Sequence, residues 1–321
     1  MPAPKCGDQE FITLFEKHGA KETGRLLGTD ERQVYSRRRR LELRLKRRLK
    51  PPREADGHEQ REIYAAIPEH PGRLAVNIRD GQLLLGTDSH YIPGIVTDAH
   101  KAFVKLAKEI KPAVIVKNGD ELDFSAISRF APIGWEHRPS IVNEIEWARD
   151  RLEEIRDSAK NARFYWPLGN HDARYETRLA TQVPEYAKIH GMHLKDHFPG
   201  WAPCWSLWIN DDVVIKHRFK GGITASRQNT LLSGKHIFTG HTHRMVPYFF
   251  ADYNGMRFGM ECGTMADPYG PQFTDYTEDN PREWIQGFVL LTFHKGKLLP
   301  PEPIVCPGDK TYIYRGRVYD L

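Results

Sequence analysis

The sequence predicts an α/β layered fold preceded by a small all-α segment. Three observations carry this. From Gly81 onward, short apolar runs alternate with amphipathic helical stretches, the pattern of strands and helices laid down in layers. Residues 1–50 show apolar spacings of three and four and no alternation. That leader also holds 14 Lys/Arg against 7 Asp/Glu, while the rest of the chain holds 33 against 35. The chain is a near-neutral body behind a basic head, an asymmetry that points to a polyanionic partner.

In the leader, residues 9–18 read as a helix with Phe11, Leu14 and Phe15 on one face. A second short helix covers Ala20 to Leu27, and Gly28 suits the left-handed position that ends it. Thr29 or Asp30 can cap a third helix running from Glu31 to about Lys50. Val34, Leu41, Leu45 and Leu49 form its apolar stripe, Arg37 to Arg40 lie on its polar side, and Pro51-Pro52 stops it. Residues 51–80 are polar and read as a linker, and 81–321 as one larger domain.

In the body, Leu83–Leu85 reads as a buried strand, Val96 to Ile110 as an amphipathic helix and Ala113 to Val116 as a second strand. Ile141 to Ala159 reads as a long helix, followed by strands at 163–166, 213–215 and 236–239. The stretch 256–314 is richer in strands and turns; 287–293 alternates before a turn at 295–297.

The 321 residues are enough to bury a real core. No run of about 18 apolar residues exists, and the start lacks an apolar signal segment. Cys6, Cys204, Cys262 and Cys306 form no Cys-x-x-Cys pair, so a reducing, cytoplasmic setting is expected rather than a zinc ribbon or disulfide framework.

Five stretches place ligand-type side chains just after a predicted strand: Asp88-Ser89-His90, Gly119-Asp120-Glu121-Leu122-Asp123, Gly169-Asn170-His171-Asp172, His217, and Gly240-His241-Thr242-His243. Loops at the carboxyl ends of strands are where α/β proteins bind ligands. Carboxylate and imidazole together suit Zn, Mn and Fe. Asp-x-His and His-x-His on extended backbone put both side chains on one side, a chelating bite. A carboxylate such as Asp120 can bridge two ions, and the neighbouring glycines let the backbone turn close to them. His190, His193 and His197 are the alternatives to His217, and otherwise read as solvated surface.

In this order the five motifs resemble the calcineurin-like metallophosphoesterase superfamily over roughly residues 81–250, with the tail to 321 as the rest of a layered β-sandwich flanked by helices. The resemblance implies a dinuclear phosphoester hydrolase. One metal would take Asp88, His90, Asp120 and His243; the other Asp120, Asn170, His217 and His241, with Asp120 bridging. It implies His171 as the group that protonates the leaving oxygen and Asp123 as the group that holds its imidazole. It implies two divalent ions, manganese first, with iron, zinc or nickel accepted by the same donors. Phe124 stands where the Ser/Thr protein phosphatases carry a phosphate-binding Arg, which argues against that branch. The motif at His217 also departs, since Arg218 and not Gly follows it.

Residues 20–37 resemble a DNA-binding helix-turn-helix: Gly24 lies four before Gly28 and Val34 six after it. Such units place their second helix in the major groove, with Gln33, Arg37, Arg38 and Arg40 as candidate nucleic-acid contacts. A basic helix that packs on the body, dimerises or binds RNA is the alternative. Tyr269, Phe273 and Tyr276 are expected in a loop near the site, and Trp201, Trp205 and Trp208 in the core or a substrate loop. The leading expectation is a phosphodiesterase or nuclease acting on DNA. A small-molecule phosphatase or cyclic-nucleotide phosphodiesterase, and a DNA-binding regulator with an inactive phosphoesterase domain, are the competing readings.

Overall fold

A computed structural model describes residues 6–47, 49, 72–136, 138–278 and 280–321. The chain divides into two units between residues 68 and 69.

In the first unit, α1 (Asp8–Leu27) breaks at Gly19 (φ 73°, ψ −179°), so it is two helices, as the apolar spacing predicts. Gly28 ends it in the left-handed conformation (φ 57°). Its N–H reaches the Arg25 carbonyl, and the Thr29 N–H reaches that of Gly24. A Cβ on Gly24 would meet the Thr29 carbonyl at 2.9 Å, which is why a small residue stands there. Asp30 caps α2 (Glu31–Leu45), accepting the Gln33 N–H at 2.7 Å. The helix stops short of the expected Lys50 because the chain turns back at Lys46 (φ 51°). Glu42 then accepts the Leu49 N–H at 2.9 Å. Leu49 thereby joins Phe11, Ile12, Phe15, Val34 and Leu41 in a small core, while Leu45, assigned to the stripe from sequence, stays exposed.

The second unit holds two sheets. The strands are β1 (Arg73–Val76), β2 (Gly81–Gly86), β3 (Val114–Lys117), β4 (Arg163–Pro167), β5 (Ala202–Cys204), β6 (Ser206–Ile209), β7 (Val213–Ile215) and β8 (His236–Thr239). They continue with β9 (Met245–Asp252), β10 (Gly255–Cys262), β11 (Gly287–His294), β12 (Lys297–Leu298), β13 (Glu302–Val305), β14 (Thr311–Tyr314) and β15 (Arg317–Asp320). One sheet runs β1-β6-β7-β8-β10-β9; the other runs β15-β14-β13-β11-β2-β3-β4-β5, with β12 paired to β11. β1 falls inside the stretch read as linker: its four residues, Arg-Leu-Ala-Val, are too few to show alternation, yet it pairs in parallel with β6, Arg73 opposite Ser206. The remainder of that stretch, up to residue 71, lies outside the described residues.

Successive side chains of a strand face opposite ways, and the sheets exploit this. Leu83, Leu85, Val114, Val116, Val289 and Leu291 face the other sheet, where they meet Leu207, Ile215, Phe238 and Met260. Leu84, Ile115, Phe288 and Leu290 face outward into a helical layer. That layer is α3 (Asp98–Ile110), capped by Thr97, and α4 (Ile141–Ser158), capped by Ser140. After α5 (Ala173–Gln182), α6 (Ala225–Ser233) covers the six-stranded sheet. The layers are helix, sheet, sheet, helix, the β-sandwich flanked by helices that the sequence predicts. Each fully buried leucine of 83–85 contributes about 1.5–3 kcal/mol. β2, β3 and β4 are parallel neighbours, as are β7 and β8, so the loops that follow them leave from common edges.

Candidate metal centre

The five loops meet. Among the described residues there are three groups whose ligand atoms lie within 4.8 Å of one another: Asp88, His90 and His243; Asp120, His217 and His241; and His90, Asp123 and His171. The first two join through His217, whose Nε2 lies 3.0 Å from Asp120 Oδ2 and 3.9 Å from Asp88 Oδ1. Asp120 stands in the second group and not in the first.

The local backbone is bent to do this. Asp88 (φ 52°), His90 (40°), Asp120 (52°), His241 (76°) and His243 (59°) all adopt left-handed conformations. Asp and His tolerate this better than most residues, but each costs free energy that the surrounding packing must offset. The chelating pairs therefore sit on left-handed backbone and not on the extended backbone expected from the sequence, because the loops turn sharply to bring them together. Gly119 (φ 82°) is required by closeness as well, since a Cβ there would meet the His217 ring at 2.7 Å and the Gly169 nitrogen at 2.6 Å.

A second layer of hydrogen bonds sets the direction of each ligand. The Asn118 carbonyl accepts from His217 Nδ1 at 2.7 Å, which leaves Nε2 to face the site. Asp123 Oδ1, 3.2 Å from His90 Nδ1, does the same for that ring. The two Oδ atoms of Asp88 accept the His241 backbone N–H, at 3.0 and 2.9 Å. Asp172, fully buried, is a knot between loops: it accepts backbone N–H groups of Asp120, Gly169, Glu121 and Leu122 and the indole N–H of Trp166.

The donors fit divalent cations. The Nε2 atoms of His90 and His243 lie 3.2 Å apart, and that of His243 lies 3.2 Å from Asp88 Oδ1, so three donor atoms converge. Asn170 Oδ1 and His243 Nδ1 are buried without a hydrogen-bond partner. Buried polar atoms left unpaired are costly, and here they are ligand types. Burial works to raise the Asp88 pKa, but His217 and His243 pull it down to about 2. Burial opposes a charge on His217, yet Asp120 and Asp88 raise its pKa to about 10. Two buried carboxylates therefore demand positive charge at this point, and without metal a proton on His217 supplies it.

His171 carries its backbone N–H to Asp120 Oδ1 (2.8 Å) and its Nδ1 to within 2.8 Å of Asp123 Oδ1. Burial works against its charged form, but Asp120 and Asp123 outweigh it and raise the pKa.

Several neighbours carry no motif that marks them in the sequence. Arg174 donates to the Asp123 carbonyl at 2.8 Å and lies 3.2 Å from His171 Nε2. Its signal was its place in the first turn of the helix that follows Asn170-His171. Lys117 and Glu121, both fully buried, pair at 3.1 Å beneath the loops, with Lys117 also donating to Ser89 at 2.7 Å. Phe273 packs edge-on against His90 at 5.3 Å, as order along the chain suggests, and Trp284 against His243 at 4.4 Å. Tyr269 and Tyr276 are exposed.

Other assignments change. His193, read as solvated, is buried and bonds to the Ala187 carbonyl, and His197 bonds to Gly191; only His190 of the three is exposed. Trp201 is core, and Trp208 lies beneath Arg73 at 3.6 Å. In the leader, Arg37 binds the Cys6 carbonyl (2.7 Å) and Asp8 (2.9 Å) and covers Phe11, while Arg38 binds Glu42 (2.9 Å) and covers Phe15. These two are engaged within the leader because they sit three and four residues from Val34 and Leu41, beside the buried stripe. The Gln33 side chain meets the Thr29 hydroxyl. Arg40 is exposed, as are Arg32 and Arg39.

No protein-family model matches the chain, and no curated protein does. Among solved structures it is similar to Vps29 complexed with zinc from Entamoeba histolytica, at 12% identity over 74% of this chain and 98% of that one, TM-score 0.40. It is similar to YfcE, a phosphoesterase from E. coli, at 17% identity over 68% of this chain and 97% of that one, TM-score 0.31. A protein serine/threonine phosphatase from Saccharomyces cerevisiae with similarity to human phosphatase PP5 matches at 11% identity over 81% of this chain and 88% of that one, TM-score 0.33. The fold and site define an α/β sandwich protein with a clustered Asp/His/Asn candidate metal centre. The chemistry is carried by this chain's own side chains.

Proposed function

We propose that the chain is a dinuclear, divalent-metal-dependent phosphodiesterase that acts on nucleic acid, DNA foremost, with the basic leader as its tether. The convergence of Asp88, His90 and His243 beside Asp120, His217 and His241 supports this reading. One cation would be held by the first three, the other by the second three with the orphaned Asn170 Oδ1. Divalent ions there, manganese foremost, would supply Lewis acidity and lower the pKa of water.

The chain's own groups do the rest. His171, oriented by Asp123, holds a proton for the departing oxygen. Asp172 holds the two ligand loops in register. Phe273 and Trp284 cover one flank of the imidazoles and keep water from it. In the leader, the exposed Arg32, Arg39 and Arg40 are the side chains for phosphate contact, from a helix joined to its predecessor by the Gly28 turn.

The test is cleavage of labelled single- and double-stranded DNA with Mn²⁺, beside Asp120→Asn. Metal-dependent cleavage lost in the variant is expected; no cleavage of either DNA under any divalent metal removes the reading.

A further inference from the structure

The metal centre opens on one side into a cavity of about 750 Å³, which begins at Asn170 and His217. Its wall carries Arg129, Arg174, Arg178, Lys216 and Arg218, and among the described residues no Asp or Glu lines it. The body that surrounds it is near-neutral overall, so this is segregated charge. Helix α5 makes one wall, because Arg174, Thr177, Arg178 and Thr181 recur at spacings of three and four and therefore share a face. Thr177 adds a hydroxyl, while that of Thr181 is held by the Thr177 carbonyl at 2.6 Å. Arg178 and Arg218 are exposed. Like charges gathered in this way repel unless an anion sits between them. At the rim Phe130 is 62% exposed with Arg129 over its ring at 4.9 Å, an aromatic face beside a cation.

A substrate with one phosphorus has its charge met at the metal centre and by Arg174 beside His171, and has no use for the other cations of the wall. Phosphates in series, with bases between them, match a cationic wall and an exposed ring. We propose that this groove holds the phosphates adjoining the scissile one, so that the substrate is a single-stranded polynucleotide rather than a small ester. This deepens the phosphodiesterase reading and rests on it for which bond is cut.

Binding tests it without turnover. Full-length protein in EDTA is titrated into a fluorescein-labelled thymidine oligonucleotide of about a dozen residues, and Kd is followed by anisotropy across a salt series. Arg178→Gln/Arg218→Gln is compared with Arg178→Lys/Arg218→Lys. Removing two phosphate contacts should flatten the log Kd–log salt slope by about 1.4 for a single strand and weaken binding about tenfold at moderate salt, while the Lys pair keeps the wild-type slope. The proposal is overturned if the Gln pair retains wild-type affinity and slope, or if the Lys pair falls as far as the Gln pair. Any contribution of the leader is common to all three proteins. Hydrolysis of bis-p-nitrophenyl phosphate with Mn²⁺ by wild type is measured alongside. If it occurs and the arginines do not matter for binding, the groove falls alone. If no diester is hydrolysed under any metal, the catalytic reading falls and the binding result stands by itself.

Discussion

The Nδ1 of His171 lies 2.8 Å from Oδ1 of Asp123, and this contact decides which nitrogen of the ring faces the site. With Nδ1 donating to the carboxylate, Nε2 is the atom that exchanges a proton with substrate. Arg174, 3.2 Å from Nε2, can only donate, so it must turn away when Nε2 takes a proton; a phosphoryl oxygen offers it another partner. His171→Ala should lower kcat about 10²-fold or more on a diester with an alkoxide leaving group, and far less with p-nitrophenolate, which departs unprotonated. Asp123→Asn should move the alkaline limb of the pH–rate profile to lower pH, because one of the groups raising the His171 pKa is gone. Equal losses for both leaving groups would remove the proton-donor role.

Metal uptake should release protons. Burial opposes a charge on His217, but Asp120 and Asp88 raise its pKa to about 10, so the metal-free chain holds a proton there at neutral pH. A cation must displace it, and affinity should weaken as pH falls, up to tenfold per unit. Calorimetry in two buffers of different ionisation enthalpy reads the release directly. EDTA should lower the melting temperature, and metal at 100 times its Kd should restore about 2.7 kcal/mol. A melting temperature indifferent to EDTA and to every divalent ion would remove the metal centre.

The Lys117–Glu121 pair is buried completely, and burial works against both charges. Replacing one partner leaves the other unpaired. Lys117→Met or Glu121→Gln alone should each cost about 3–5 kcal/mol in denaturant unfolding, and the double replacement much less than the sum. Additive losses would show that the two side chains act separately.

Glu144 accepts the Phe124 N–H at 3.0 Å, and burial, with Asp123 nearby, raises its pKa to about 8 from the ordinary 4.5. The folded state therefore binds the proton more tightly than the unfolded chain. Its contribution to stability is full below pH 4.5 and is lost as pH rises to about 8. Glu144→Gln, which copies the neutral acid, should reduce the fall in melting temperature between those limits. An unchanged pH slope would place the effect elsewhere.

Where local rules suffice, the sequence was legible. Leu83–Leu85 is a strand because three leucines in a row can be buried on both faces, and the break at Gly19 follows from the residue itself. The side chains singled out for the centre share one signal in the sequence, a place shortly after a strand. Arg174 and Trp284 were not, because an Arg on a helix and a Trp in a loop carry no mark of what they will touch. β1 was missed for a related reason: Arg73–Val76 is too short to show apolar alternation and is a strand only because β6 offers it an edge.

Taken by itself, the order of residues determined the alternation of strands and helices, the chelating pairs and the basic character of the leader, since each depends on neighbours within a few positions. Tertiary structure alone decided that Arg37 reaches Cys6 and Asp8, that Asp172 ties two loops, and that five cations share one groove. Those outcomes join residues that stand far apart in the chain, and only packing of the two sheets or of the leader helices sets their distances.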